Sequence, residues 1–355
     1  MTGDRPDRSA TDGPGAASTR GSWVSDLRDL ERRDDDFSPS TRLRALAARR
    51  TARRSRAASD GDSSPESRDA KTDKSPADSA PSPLIAAIRR AAAVEDLTPV
   101  GSADQRRYGR AVDARVTADG GNYDLEVRLF RPPDSDGFAA ALAEQIDRWV
   151  DLSDLDGIVP VVDGSEDPRP WVLTAPVTAT LADRSPDPSD AVEQAHTLAR
   201  TVASLHERGA VHAGIDPRHV VYPAGSDRPH LDNVGVVDVY RRYTDPATVL
   251  DPRYAPPEYF DDRYGVVDRT TDVYGMGALL YRIFTGRDPF EGSPAAVREQ
   301  VLTGPFPTPS DVTELPEALD DIVARATATD KFDRYQSAAA LFEDVNDLCL
   351  WLLDE

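Results

Sequence analysis

"TTDVYGMGALLYRIFTGRDPF", residues 270–290, decides how the rest of the chain is read. It reads as an apolar helix with the carboxylate of Asp272 at its head, where an acid suits the first turn and its free amides. Gly275 and Gly277 permit close packing against neighbours, and Gly286 fits the end of the helix. Apolar residues make up 39% of the 355, enough for a core over most of the chain.

Working outward, the segments before this helix alternate and those around it are helical. "GRAVDARVT" and "YDLEVRLFR" alternate apolar and polar residues across "ADGGN", a hairpin pattern. "GFAAALAEQIDRWVDL" reads as a helix, and "IVPVVDG" and "PWVLTAPV" as strands. "SPLIAAIRRAAAVEDL" reads as a short helix with Ser82 as its cap and Pro83 in its first turn. From residue 188 onward the pattern is mostly helical. A β-rich part therefore precedes an α-rich part with no βαβ alternation, and the fold class is α+β.

The charge is uneven. Residues 1–82 hold 16 basic and 15 acidic residues, whereas 83–355 hold 26 and 48. The acidity thus belongs to the second part and argues against non-specific nucleic-acid binding by it. The acid is mostly Asp (48, against 15 Glu) and the base mostly Arg (39, against 3 Lys), a balance that resembles the halophilic proteins of a salt-adapted, haloarchaeal cytoplasm. In molar salt the Debye length falls to about 3 Å, so such an excess repels itself far less. An ordinary acidic protein from a GC-rich genome is the plainer alternative.

Residues 1–20 and 57–82 are rich in Ser, Asp, Pro, Gly and Ala and bury too little to offset the entropy of ordering. Residues 1–82 are therefore expected to form a disordered tail, although Trp23, Leu27 and Leu30 have helical spacing. The Arg-rich segment 41–56 carries seven Arg and no acid. It would dock an acidic partner, nucleic acid or a membrane surface, or else be a solvated stretch pairing transiently with its own acidic domain. The lone Cys349 permits no disulfide framework. No run of 18 apolar residues suggests a membrane span, and "MTGDRPDRSATDGPG" lacks the apolar core of a signal peptide. A cytoplasmic location is expected.

The strings "TTDVYGMGALLYRIFTGRDPF", "DPRYAPPEYF" (251–260), "LHERGAVH" (205–212) and "ATATDKFDRYQSAAAL" (326–341) together resemble the protein-kinase family over residues 95–350. The resemblance implies a bilobal fold, a small β-rich N-lobe over 83–177 and a larger helical C-lobe over 178–355, with the tail 1–82 ahead of it. It also implies structural roles for His212, for Asp272 as the anchor of the catalytic-loop backbone, and for Glu258 and Arg334 as a buried ion pair.

Phosphoryl transfer needs a loop over the phosphates, a cation, metal ligands and a group to accept the hydroxyl proton. Set in the family's register, "GSADQRRYGRAV" keeps Tyr108 and Gly109 but has Gln105 and Arg107 where glycines stand. Side chains there crowd a backbone that must approach phosphates. Arg128 replaces the phosphate-pairing Lys, with Glu144 as its matching helix carboxylate, and Ala175 and Val177 fall among the nucleotide-binding positions. In "VHAGIDPRHVVY" (211–222), Gly214 stands for the base, Ala213 for the loop Arg, Asp216 for the phosphate-contacting Lys and His219 for the metal-binding Asn. Asn233 stands for the metal-binding Asp. Asp232 precedes it, and in a regular strand its side chain would point the opposite way.

The groups that hold the helical lobe stay, while those that handle phosphate, metal and proton are replaced. The expected function is that of a pseudokinase, acting in signalling by binding a protein partner. The alternative is an atypical serine/threonine kinase using ATP and Mg²⁺, with Asp216 and Asp232 as surrogate carboxylates.

Overall fold

The computed structural model describes residues 43–52, 83–184 and 187–354. Helix α1 covers 43–52 and helix α2 runs Pro83–Ala91. A five-stranded antiparallel sheet follows, in the order β1-β2-β3-β5-β4, built from β1 (Asp96–Arg106), β2 (Gly109–Ala118), β3 (Gly121–Phe130), β4 (Val161–Ser165) and β5 (Trp171–Thr174). The β2–β3 hairpin turns at Asp119 and Gly120, both at positive φ, as the "ADGGN" string requires. Strand β1 has no alternating signal in the sequence: Leu97 is its one buried residue, because it is the edge strand with most of its length open to solvent.

Helix α3 (Phe138–Asp151) packs on this sheet through Phe138, Leu142, Ile146, Trp149 and Val150. A second, three-stranded sheet comprises β6 (Val177–Thr180), β7 (Val220–Pro223) and β8 (His230–Leu231). Around it lie α4 (Pro188–Glu207), α5 (Val236–Tyr243), α6 (Pro246–Val249), α7 (Arg269–Thr285), α8 (Pro294–Thr303), α9 (Glu317–Ala326) and α10 (Ala338–Asp354).

Helix α7 is the decisive stretch of the sequence, and it is buried nearly throughout from Thr270 to Ile283. Its cap is Asp268, which accepts from the Thr270 amide, leaving Asp272 free for contacts outside the helix. A Cβ at Gly275 would lie 3.1 Å from the Ile215 carbonyl, and one at Gly277 2.6 Å from the Ala326 Cβ. These glycines let the loop over 212–219 and helix α9 close onto α7. Among the described residues no helix is long and apolar enough to cross a membrane.

One expectation is corrected here. Residues 43–52 of the tail form a packed helix, with Leu43, Leu46, Ala47 and Arg50 buried. Their i, i+3, i+4, i+7 spacing is an apolar stripe that the density of Arg concealed. The rest of the tail, including Trp23, Leu27, Leu30 and the cap assigned to Ser82, lies outside the described residues.

Candidate functional site

Between the β1–β3 face and the β6–β8 sheet lies a cleft of about 270 Å³. Gly109, Arg128, Val177, His219, Asp232 and Asn233 all line it. Ala175 does not: it is buried, and its amide donates to the Pro160 carbonyl at 3.3 Å.

The floor of the cleft is a closed ion network. Arg128 Nη1 donates to both carboxylate oxygens of Asp232, at 2.6 and 2.7 Å, and its Nε donates to Glu126 Oε1 at 2.5 Å. Burial disfavours the guanidinium's charge, but Asp232 and Glu126 outweigh it and hold Arg128 fully protonated. Strand β8 ends at Leu231 and Asn233 adopts φ +58°, so Asp232 and Asn233 face the same cleft. The alternation expected of a regular strand is corrected by this turn. Asn233 Nδ2 donates to Asp232 Oδ2 at 3.1 Å.

Glu144 is not part of this network. It is exposed and paired with Arg148 one turn along, at 2.6 Å. The apolar stripe of α3 sets the helical phase, and that phase turns Gln145, not Glu144, inward; Gln145 Nε2 donates to the Val234 carbonyl at 3.0 Å. The carboxylate facing Arg128 comes instead from Glu126, two residues along the same strand.

The loop over 212–219 is held from beneath by Asp272. Its Oδ2 accepts from the His212 amide at 2.7 Å and from His206 Nε2 at 2.9 Å, and its Oδ1 accepts from the Ala213 amide at 2.7 Å. Ala213 sits at φ +56° and its carbonyl accepts from the Tyr259 hydroxyl at 2.5 Å. His212 Nε2 donates to the Asp232 carbonyl at 3.0 Å, tying the loop to the cleft floor. Burial pushes the His212 imidazole down to about 4, so the ring is neutral. Farther out, Glu258 and Arg334 form a fully buried two-point pair at 2.8 and 2.9 Å. Arg334 also donates to the Ala328 and Thr270 carbonyls.

Two features close the site. At Gly214 a Cβ would meet Val237 Cγ2 at 2.3 Å and Val237 Cβ at 2.7 Å. Helix α5 thus occupies the space into which a base would project. On the other side the β1–β2 turn folds down onto the same loop. Arg107 Nη1 donates to Asp216 Oδ2 at 3.1 Å, and the buried Tyr108 hydroxyl lies 3.0 Å from His219 Nε2. Tyr240 of α5 donates to the carbonyls of Tyr108 and Arg131, at 3.0 and 2.9 Å.

Asp216 also accepts from the amides of Arg218 and His219. Burial alone would raise its carboxyl, but His219, then Arg107 and the Arg218 amide, drive it well below the ordinary carboxylate range. His219 Nδ1 donates to the Gly214 carbonyl at 2.7 Å, and its Nε2 faces the Tyr108 hydroxyl. The sequence pointed to crowding at Arg107 but not to its partner. Glu126 and Val237 carried no signal of their own.

No protein-family model matches the chain. It is 32% identical over 171 residues to the serine/threonine-protein kinase PknL of Mycobacterium tuberculosis, covering 46% of this chain and 42% of that protein. It is 30% identical over 164 residues to the serine/threonine-protein kinase PknB of the same species, covering 44% of this chain and 26% of that protein. The likeness is to serine/threonine protein kinases. It supports a protein-kinase-like family, and the mixed α+β architecture is compatible with a kinase-like fold. The chain spans less than half the length of these curated relatives.

A kinase-like cleft implies ATP and Mg²⁺, and the residues present do not fit that pair. Asn233 is neutral and spends its amide on Asp232, and His219 has both ring nitrogens committed. Magnesium favours oxygen ligands, chiefly carboxylates. Arg107 and Tyr108, in the turn over the cleft, are themselves engaged with Asp216 and His219.

Proposed function

We propose that this chain is a catalytically impaired protein kinase-like domain that acts in signalling by binding a protein partner. The observation that supports the reading is at Gly214, which has no side chain where the resemblance puts the base and whose Cβ would meet Val237. The metal and phosphate positions support it, since His219, Asn233 and Arg128 are all engaged with the protein itself.

The reading in which Asp216 and Asp232 act as surrogate carboxylates is weaker. A general base works best with a pKa near the working pH. Asp216 is held far below that by His219 and Arg107, and Asp232 is clamped by Arg128.

The test is incubation of the full chain with labelled ATP and Mg²⁺ in high potassium chloride, with and without a generic basic protein substrate. No incorporation above background is expected. Transfer by the wild-type chain, abolished in Asp216→Asn, would overturn the proposal in favour of an atypical kinase.

A further inference from the structure

The function above makes no use of the packed helix in the Arg-rich tail, yet its contacts are specific. Helix α1 lies across the back of the molecule, on the side of β4 and β8. Leu43, Leu46 and Ala47 are buried, with Leu43 and Leu46 in the same core cluster as Ile85, Ile88 and Ala92. Arginines near its two ends reach different parts of the chain, the turn at Asp156 and strand β4. Arg44 pairs with Asp156 at 2.9 Å and lies 3.5 Å from His230 Nε2, on β8. Arg50, itself buried, pairs with Asp163 on β4 at 3.3 Å and donates to the Ala92 carbonyl.

Six residues of helix span about 9 Å, so one rigid rod runs from the Asp156 turn, beside His230 of β8, to Asp163 of β4. Arg200 of α4 meets the same Asp156, at 3.1 Å. Burial alone would raise the Asp156 carboxyl, but Arg44, with Arg200, lowers it. On this side the backbone joins at one bridge, Ile158 to Leu231: the Leu231 amide donates to the Gly157 carbonyl at 2.7 Å and the Val159 amide to the Leu231 carbonyl at 3.0 Å. His230 lies two residues before Asp232, which forms the cleft floor with Arg128.

We infer that α1 is an intrachain clasp that fixes the spacing of the two lobes from behind, so that its release loosens β8 and the Asp232–Arg128 floor of the cleft. The clasp is separate from the front closure by Arg107 and Tyr108. The seven Arg of 41–56 are then not simply a solvated run: Arg44 and Arg50 are addressed to Asp156 and Asp163.

Hydrogen–deuterium exchange on the full chain in high potassium chloride tests this, comparing wild type with Leu46→Asp and with an Arg44→Ala, Arg50→Ala double variant. In the wild type, 43–52 is expected to be protected. In both variants 43–52 should lose protection, and exchange at 159–165 and 228–233 should rise by about tenfold or more, while α7 stays protected. The double variant leaves the Leu43, Leu46 and Ala47 stripe in place and decides the matter if Leu46→Asp unfolds the chain. The inference is overturned if 43–52 exchanges freely in the wild type. It is equally overturned if 43–52 is freed in the double variant without any change at 228–233.

Discussion

His212 donates one ring nitrogen to the Asp232 carbonyl, and its imidazole is buried and neutral. Its folded pKa of about 4 lies below the ordinary 6.5. Between those values the unfolded chain binds a proton that the folded chain does not, so stability rises with pH across that window. Lowering the pH from 7 to 4 should therefore remove on the order of 3 kcal/mol through this residue alone. Urea melts of wild type and His212→Gln at stepped pH check it: the variant should show a shallower loss. Equal slopes would mean that His212 does not titrate as its burial requires. The ionised Asp216 adds stability that persists to still lower pH, because its folded carboxyl is depressed rather than raised. At this scale the sequence was informative wherever one residue type could serve only one purpose. Asp272 was visible as the residue placed to hold the loop, and its carboxylate accepts from the His212 and Ala213 amides. Glu144 was misplaced because two adjacent polar residues on α3 differ only in helical phase, which its buried stripe decides.

Among elements, the long apolar helix α7 and the β2–β3 hairpin were legible because each has a strong period and clear punctuation. Three elements were not. Strand β1 is an exposed edge without alternation. Helix α1 hides a narrow apolar stripe among arginines. Helix α5, "VVDVYRRY", opens with β-branched residues that do not favour helix; contacts hold it, with Val237 against the loop at Gly214 and Tyr240 against Tyr108. The closed state of the site is thus a relation between elements, which no local pattern announces. It leads to a specific expectation for Gly214→Asp. A carboxylate placed there is forced into Val237, and overpacking of this kind costs about 1–3 kcal/mol. The variant should be less stable by thermal melting and still transfer no phosphate. A stable Gly214→Asp chain with kinase activity would show that α5 moves aside readily.

At the scale of the whole molecule, a closed front and a clasped back act on one cleft. The Arg107–Asp216 pair and the Tyr108–His219 contact draw the β1–β2 turn onto the helical part, and α1 spans from the Asp156 turn to β4 behind. The charge is equally a property of the whole: 48 acids against 26 bases over residues 83–355 repel one another unless salt screens them. Measurements on the domain therefore belong in high potassium chloride. The central claim, proposed above, is that the polar side chains lining the cleft are engaged with one another, so that the cleft does not take a magnesium nucleotide. It is tested most directly by the thermal stability of the wild-type chain in high potassium chloride, with ATP added in the presence and absence of Mg²⁺. A ligand that binds only the folded chain must raise the melting temperature. The account predicts the same melting temperature in every condition, and a Mg²⁺-dependent rise of several degrees would contradict it.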